Sequence, residues 1–301
     1  MRRVIGALGR SFITVGILIL LFVAYQLWGT GLYTSREQDR LRTDFQNEVA
    51  NRGTTPTSTG GSTTSTTAVA PTTTTTAPVP LAPRPNEGDA LAQIIIPRIG
   101  VDKIVVQGTS REDLRKGPGH YPDTPFPGQQ GNAAIAGHRT TYGAPFGNLD
   151  QLEVGDRIIV RTVQGTFSYK VYDANHVVDP TDVSVLDVDP NRAAVLTLTT
   201  CNPKYSARQR LVVRAQLEET PLPASRVAHH APKLEEGLSG EASSKVPTLI
   251  AGIIAAIVGG LWWLVYHRHP RWTNWLIGVI PFAVALFFFY AFLERVLPSN
   301  Y

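Results

Sequence analysis

The chain of 301 residues holds one cysteine, and the residues around it suit a nucleophile. Cys201 ends a strand-like run, Leu196-Thr197-Leu198-Thr199-Thr200, and is followed by Asn202-Pro203, where the chain leaves the strand for a loop. Loops carried on a rigid scaffold are where reactive side chains concentrate. Arg210 opens a second apolar run, Leu211-Val212-Val213. A thiol at one strand end and a guanidinium at the start of the next can serve as nucleophile and oxyanion partner. Arg208, Arg210 and Arg214 can share a face by strand alternation, so periodicity does not choose among them. A place beside the cysteine loop favours Arg210 or Arg208 over Arg214.

His138, in Ala136-Gly137-His138-Arg139, closes another strand-like segment and is the first candidate for the proton-transfer partner. His120, in Gly117-Pro118-Gly119-His120-Tyr121, ranks second, because a turn flanked by Pro and Gly more often fixes a histidine structurally. His176 reads as a surface residue near a strand end. No His/Cys/Asp/Glu set has zinc-ligand spacing, so neither a metal nor another cofactor is expected. A single cysteine also precludes an internal disulfide.

The elements that must position these side chains fall between residues 89 and 217. Strand-like runs are Gln93–Ile96, Lys103–Val106, Asn132–Ala136, Arg157–Val163, Thr166–Tyr172, Ala194–Thr199 and Leu211–Leu217. Gly165 marks a hairpin turn, and short helical turns are expected at 111–116 and 147–152. Several short strands at this spacing predict a mainly β domain, a closed or nearly closed barrel.

The flanks differ in kind. Uncharged apolar runs occur at 11–29, 246–266 and 275–293, each close to the roughly 17–25 residues that cross a bilayer as a helix. Arg2, Arg3 and Arg10 precede the first, and the short basic loop 267–274 joins the other two. Basic flanks stay cytoplasmic. The expected topology is therefore three transmembrane helices in a multi-pass plasma-membrane protein. Residues 1–10 and 267–274 lie in the cytoplasm; the 89–217 domain and the tail 294–301 lie outside.

Residues 30–88 read as a juxtamembrane stalk and a linker. Leu41, Phe45 and Val49 form only a narrow stripe, which predicts a solvated helix without a partner. Gly53 to Pro85 is dominated by Thr, Pro, Ser and Gly and is expected to be an extended, disordered tether. A second polar linker spans 218–245. The net charge of +4, from 28 basic and 24 acidic residues, belongs mostly to the flanks of the apolar runs. No basic stripe is interleaved with aromatics, which argues against nucleic acid as a partner.

Thr197-Leu198-Thr199-Thr200-Cys201-Asn202-Pro203 followed by Arg210-Leu211-Val212-Val213 resembles the active-site signature of sortases. Ala136-Gly137-His138-Arg139-Thr140-Thr141-Tyr142-Gly143-Ala144-Pro145-Phe146 is similar to the histidine segment of that family. Ile96-Pro97-Arg98-Ile99, Gly117-Pro118-Gly119-His120-Tyr121 and Gly155-Asp156 add to the likeness. Tyr142 and the Thr-Thr-Cys-Asn-Pro wording look most like class E, the actinobacterial housekeeping type.

The resemblance implies an eight-stranded sortase-type β-barrel with short helices and a membrane-bound cysteine transpeptidase. Cys201 would be the nucleophile, His138 the proton-transfer partner and Arg210 the oxyanion and positioning group. Thr200, Tyr142 and His120 would contact substrate. The implied chemistry is cleavage of an LAxTG- or LPxTG-type sorting signal between Thr and Gly through a thioester. The implied partners are surface proteins bearing C-terminal sorting signals, a lipid-linked cell-wall precursor whose amine accepts the acyl group, and the membrane.

Two departures and two alternatives frame that expectation. Most sortases carry one anchor, whereas three apolar runs occur here. Pilin-polymerising members carry a lid with an Asp-Pro-aromatic motif, whose spacing Asp123-Thr124-Pro125-Phe126 does not match, which favours surface-protein attachment. An L,D-transpeptidase would want His-Gly-Cys before an aliphatic residue and Arg, where Thr200 and Asn202 stand instead. A tethered non-catalytic β-domain is the remaining class, and it would tolerate loss of the thiol.

Overall fold

Barrel closure follows from strands that bury one face and leave few free edges. In the computed structural model, which describes residues 16–53, 84–189, 191–224, 245–268 and 272–296, eight strands form. They are β1 (Ala90–Ile96), β2 (Val101–Gln107), β3 (Gly119–His120), β4 (Gly131–Ala136), β5 (Arg157–Thr162), β6 (Gly165–Val178), β7 (Ala194–Asn202) and β8 (Gln209–Leu217). Their order is β1-β2-β3-β4-β7-β8-β6-β5, and β5 pairs back onto β1 to close the barrel. The β2–β3 and β4–β7 pairs are parallel and the others antiparallel.

Ile94, Ile96, Ile135, Leu196, Leu198 and Val213 fill the interior. Because successive side chains alternate faces, Thr197, Thr199 and Cys201 lie on the other side of β7 from Leu196 and Leu198. The mainly β, eight-stranded barrel is thus observed. Seven strands correspond to the apolar runs; β3 is only two residues long, too short to leave a periodic signal. Gly165 opens β6 opposite Thr162, as a hairpin requires. The 147–152 segment is a single 3-10 turn, Leu149–Gln151.

The expected solvated stalk is not what forms. Helix α1 (Thr30–Gly53) lies on the barrel, and Leu41 and Phe45 pack with Ala90, Ile104 and Val106. Each such side chain contributes about 1.5–3 kcal/mol on full burial. The stripe is narrow because the rest of the contact is polar. Strand β3 covers only the end of β2, so Ile104 presents an unpaired backbone edge. The Gln38 amide closes it: its Nε2 donates to the Ile104 carbonyl at 2.9 Å and to the Lys116 carbonyl at 2.9 Å, while its Oε1 accepts from the Ile104 N–H at 2.8 Å. A side-chain amide thus stands in for a neighbouring strand. Arg42 adds an ion pair to Asp102 at 3.0 Å.

Helix α2 (Arg111–Lys116) is the predicted short helix, started by a capping box in which Ser110 Oγ accepts from the Asp113 N–H and the Asp113 carboxylate accepts from the Ser110 N–H. Arg84 and Pro85, where the chain re-enters, share with Glu37, Arg40 and Glu48 of α1 a cleft of about 400 Å³.

The membrane expectation is corrected in number. Among the described residues, one helix is long and apolar enough to cross a bilayer: α3 (Lys245–Arg268), through Lys245–Val265. In α4 (Trp272–Val296) the apolar stretch Ile277–Leu293 is shorter, and Pro281 lies within it. The run at 11–29 begins outside the described residues. Its described part is helical and continues through a π-turn at Tyr25–Gly29 into α1. Three crossings are therefore not supported, and among the described residues a multi-pass arrangement is not supported either. The N-terminal helix and α4 do touch: Tyr290 Oη donates to the Leu18 carbonyl at 2.7 Å, and the Tyr25 and Phe287 rings meet edge to face at 5.4 Å. Expectations for residues 1–15, 54–83, 225–244, 269–271 and 297–301 lie outside the described residues.

The Gln38 contact yields a measurable outcome. Gln38→Ala strands a buried N–H and carbonyl and should lower unfolding free energy by about 2–4 kcal/mol. Arg40→Ala, whose side chain is 73% exposed, should change it by no more than about 0.5 kcal/mol. Thermal unfolding of the two variants in detergent checks this, and matching midpoints would refute the edge-closing role.

Candidate active site

Strand pairing decides which arginine meets the thiol. Cys201, next to last in β7, lies directly opposite Arg210 of β8. Opposed residues of an antiparallel pair project from the same face. Arg210 Nη1 stands 4.0 Å from Cys201 Sγ and also donates to the Ala207 and Gln209 carbonyls, at 3.2 Å each. Those carbonyls hold the guanidinium at the strand start. Arg208 precedes β8 and is exposed. Arg214 lies opposite Thr197, about 13 Å along the strand from Arg210 at some 3.3 Å per residue. The ambiguity left by alternation is resolved by register.

His138 arrives from the other side of β7. The parallel β4–β7 ladder runs to Ala136 opposite Thr199, and the Gly137 N–H extends it by donating to the Thr199 carbonyl at 3.0 Å. Two residues further, His138 is level with Cys201. Ala133 and Ile135 face the core, so alternation puts His138 on the same outer face as the thiol. This approach needs Gly137: a Cβ there would lie 2.5 Å from the ring of buried Phe146. The loop after His138 closes on itself, with the Phe146 N–H donating to the His138 carbonyl at 3.1 Å.

Arg139 and Tyr121 were not singled out from the sequence, yet both reach this place. Arg139 is buried; its Nη1 donates to the Cys201 carbonyl at 3.0 Å and to Asn202 Oδ1 at 2.7 Å, and its Nη2 pairs with Asp150 at 3.3 Å. It ties the histidine segment to the strand end that carries the thiol. The Tyr121 hydroxyl shares a hydrogen bond with Thr199 Oγ1 at 3.1 Å, on the Cys201 face of β7. Burial pushes its phenol up, while Thr199 and Arg210 pull it down and Cys201 adds to the rise. The one available sequence signal for Tyr121 was its place beside His120 in a turn leading to an outer-face strand position.

The three residues expected to contact substrate are all buried. Thr200 points away from the Cys201 face, and its hydroxyl donates to the Gly137 carbonyl at 2.7 Å, pinning β7 to the histidine segment. His120 is 0% exposed, its Nδ1 against Gln107 Oε1 at 3.1 Å and its Nε2 against the Pro125 carbonyl at 2.8 Å. Burial is the main cause that lowers its pKa to about 4, so it is a neutral structural histidine. Tyr142 is buried with its ring 4.9 Å from that of His138. It touches the histidine rather than open space.

The thiol is 3% exposed. Burial pushes its pKa up to about 11, against the opposing pull of Arg210 and then Arg139. The resting group is a thiol, and negative charge forms there only as a proton leaves and two guanidiniums respond. Such a site suits acyl transfer, in which charge appears on sulfur and on a carbonyl oxygen in turn. Among the described residues, no group of three or more His, Cys, Asp or Glu side chains could hold a metal ion.

Alkylation of Cys201 by iodoacetamide should therefore keep accelerating from pH 9 towards 11. Arg139→Gln should displace that profile further upward and slow alkylation at a fixed pH of about 9. Arg139→Lys, which keeps the charge, should recover part of the rate; equal slowing by Lys and Gln would reduce Arg139 to packing alone.

A family model, the sortase domain, matches residues 94–218. Sortase SrtE1 of Streptomyces coelicolor is 33% identical over 226 residues, covering 71% of this chain and 57% of that protein. Sortase SrtE2 of the same organism is 30% identical over 230 residues, covering 72% of this chain and 83% of that protein. Sortase E of Streptomyces avermitilis, a solved structure, is 40% identical over 45% of this chain and 93% of its own, with a TM-score of 0.40. With both aligned segments taking in the thiol strand and the histidine segment of the barrel, the chain belongs to the sortase family of cysteine transpeptidases and is class E-like.

Proposed function

We propose that this protein is a membrane-attached transpeptidase that joins surface proteins to a cell-wall precursor, with Cys201, His138 and Arg210 as its catalytic residues. The observation that carries this reading is the pairing of Cys201 opposite Arg210, with Nη1 4.0 Å from Sγ. The substrate is a C-terminal sorting signal of the LAxTG or LPxTG type, and the scissile bond is Thr–Gly.

In the first half, the Cys201 proton passes to His138 and sulfur attacks the threonine carbonyl carbon. Charge moves to the carbonyl oxygen, where Arg210 stabilises it. The carbon–nitrogen bond breaks, His138 returns the proton to the departing glycine nitrogen, and a thioester remains. In the second half, an amine of the wall precursor attacks the thioester carbonyl. It loses its proton to His138, the sulfur–carbon bond breaks, and His138 hands that proton to the departing sulfur, restoring the thiol as the new amide is released.

The raised thiol pKa fits this order, because the nucleophile is generated within the complex rather than kept charged in water. The apolar stretch Lys245–Val265 supports membrane attachment, with the barrel on the outer side where wall precursors and sorting signals meet.

Full-length protein in detergent, incubated with an LAxTG peptide, should gain mass on Cys201 and release the fragment beginning with Gly; Cys201→Ala should do neither. Absence of adduct and cleavage with both LAxTG and LPxTG peptides would reject the reading. Arg210→Ala should lower kcat by about 10²–10³, as loss of an oxyanion donor does. Arg214→Ala should leave kcat near the wild-type value, and comparable losses would mean that the wrong guanidinium has been chosen.

A further inference from the structure

The loop after His138 is held in a conformation it would not adopt by itself. Tyr142, Gly143 and Ala144 have φ of 52°, 72° and 43° in succession. Two of the three are not glycine, so the backbone is strained unless its surroundings over-determine it. Helix α1 supplies much of that surrounding. Thr30 Oγ1 accepts from the Tyr142 N–H at 3.0 Å, and Thr34 Cγ2 lies 3.9 Å from where a Cβ on Gly143 would stand. Thr34 Oγ1 also donates to the Arg115 carbonyl at 2.9 Å, which fixes α2 against α1.

The side chains then form a file that ends at the imidazole. Arg115 places its guanidinium 5.2 Å from the Tyr33 ring centroid and 5.6 Å from that of Tyr142, so the cation lies between two aromatic rings. Tyr142 in turn packs on His138 at 4.9 Å. Cation–π contacts gain strength when desolvated, and Arg115 is buried, with Glu112 as an ionic partner at 3.4 Å.

We propose that α1 is a working part of the active site: its Thr30 and Tyr33, with Arg115 of α2, are positioning residues that, through Tyr142, set the orientation of the His138 ring. The inference rests on the assignment of His138 as proton carrier. It predicts an effect on the chemical step and not on substrate affinity, because these residues reach the imidazole through Tyr142.

The test uses full-length protein in detergent, with kcat and KM for an LAxTG peptide and the alkylation rate of Cys201 as separate readouts. Thr30→Val removes the acceptor at nearly constant volume. It should lower kcat about tenfold or more, since small misplacements of a catalytic group are costly, with KM and thiol alkylation unchanged. Thr30→Ser, which keeps the acceptor, should recover kcat. Tyr33→Leu carries the same test from a half-exposed position where folding is little at risk, and it too should reduce kcat alone. Wild-type kcat in both Thr30→Val and Tyr33→Leu would overturn the proposal, as would a loss in Thr30→Val that Thr30→Ser shares. If the transpeptidase reading itself were wrong, wild type would form no thioester, an outcome distinct from any of these.

Discussion

Strand β7 is hydrogen-bonded to β4 on one side and to β8 on the other, and everything at the site depends on those two registers. The antiparallel pairing puts Cys201 opposite Arg210, and the parallel one carries His138 level with it. A slip of one residue in either ladder would send a functional side chain to the core face. The interior, with Leu196, Leu198, Leu211 and Val213, therefore guards the register from below: apolar residues that slipped outward would lose their burial. Thr200 and Arg139 guard it from the strand end, one by bonding Gly137 and the other by gripping the Cys201 carbonyl.

Electrostatically the site balances a burial penalty against two cations. A sulfur sealed from water favours its protonated form, yet Arg210 and Arg139 approach from opposite neighbours of β7. Neither is loose. Arg210 is held by two carbonyls of its own turn, and Arg139 by Asn202 and Asp150. Fixed donors of this kind need not reorganise when charge develops, which is what makes a preorganised site more effective than solvent.

Much of this was legible in the residues. Seven of the eight strands announce themselves as apolar runs, and Cys201 and His138 stand out by position at strand ends. Arg210 could be narrowed but not chosen, because Arg208 and Arg214 obey the same alternation until the partner strand is known. Tyr121 and Arg139 stayed hidden because their significance is relational: a tyrosine beside a turn and an arginine after a histidine gain meaning only from the strand they touch. Thr200 illustrates the converse, since adjacency to Cys201 in sequence means the opposite face in a strand. The docking of α1 was missed because an amide mimicking a strand edge, as Gln38 does for Ile104, leaves no hydrophobic trace. Of the three expected spans only Lys245–Val265 is long and apolar enough among the described residues, because Ile277–Leu293 is shorter and the run at 11–29 begins outside them.

The docking of α1 alters what the Thr-rich stretch can do. Were it the connection between the apolar helices and the barrel, its contour length would determine how far the thiol could roam. Instead α1 docks before the stretch begins, and the chain returns at Arg84 and Pro85 beside the same helix. The link from the N-terminal apolar helix to the barrel is the helix Thr30–Gly53 itself, so the standoff between that apolar helix and the thiol is dictated by a stiff helical spar. Lengthening or trimming the Thr-rich sequence would leave that standoff as it is. Whatever reacts with the thiol must come to it at a fixed height.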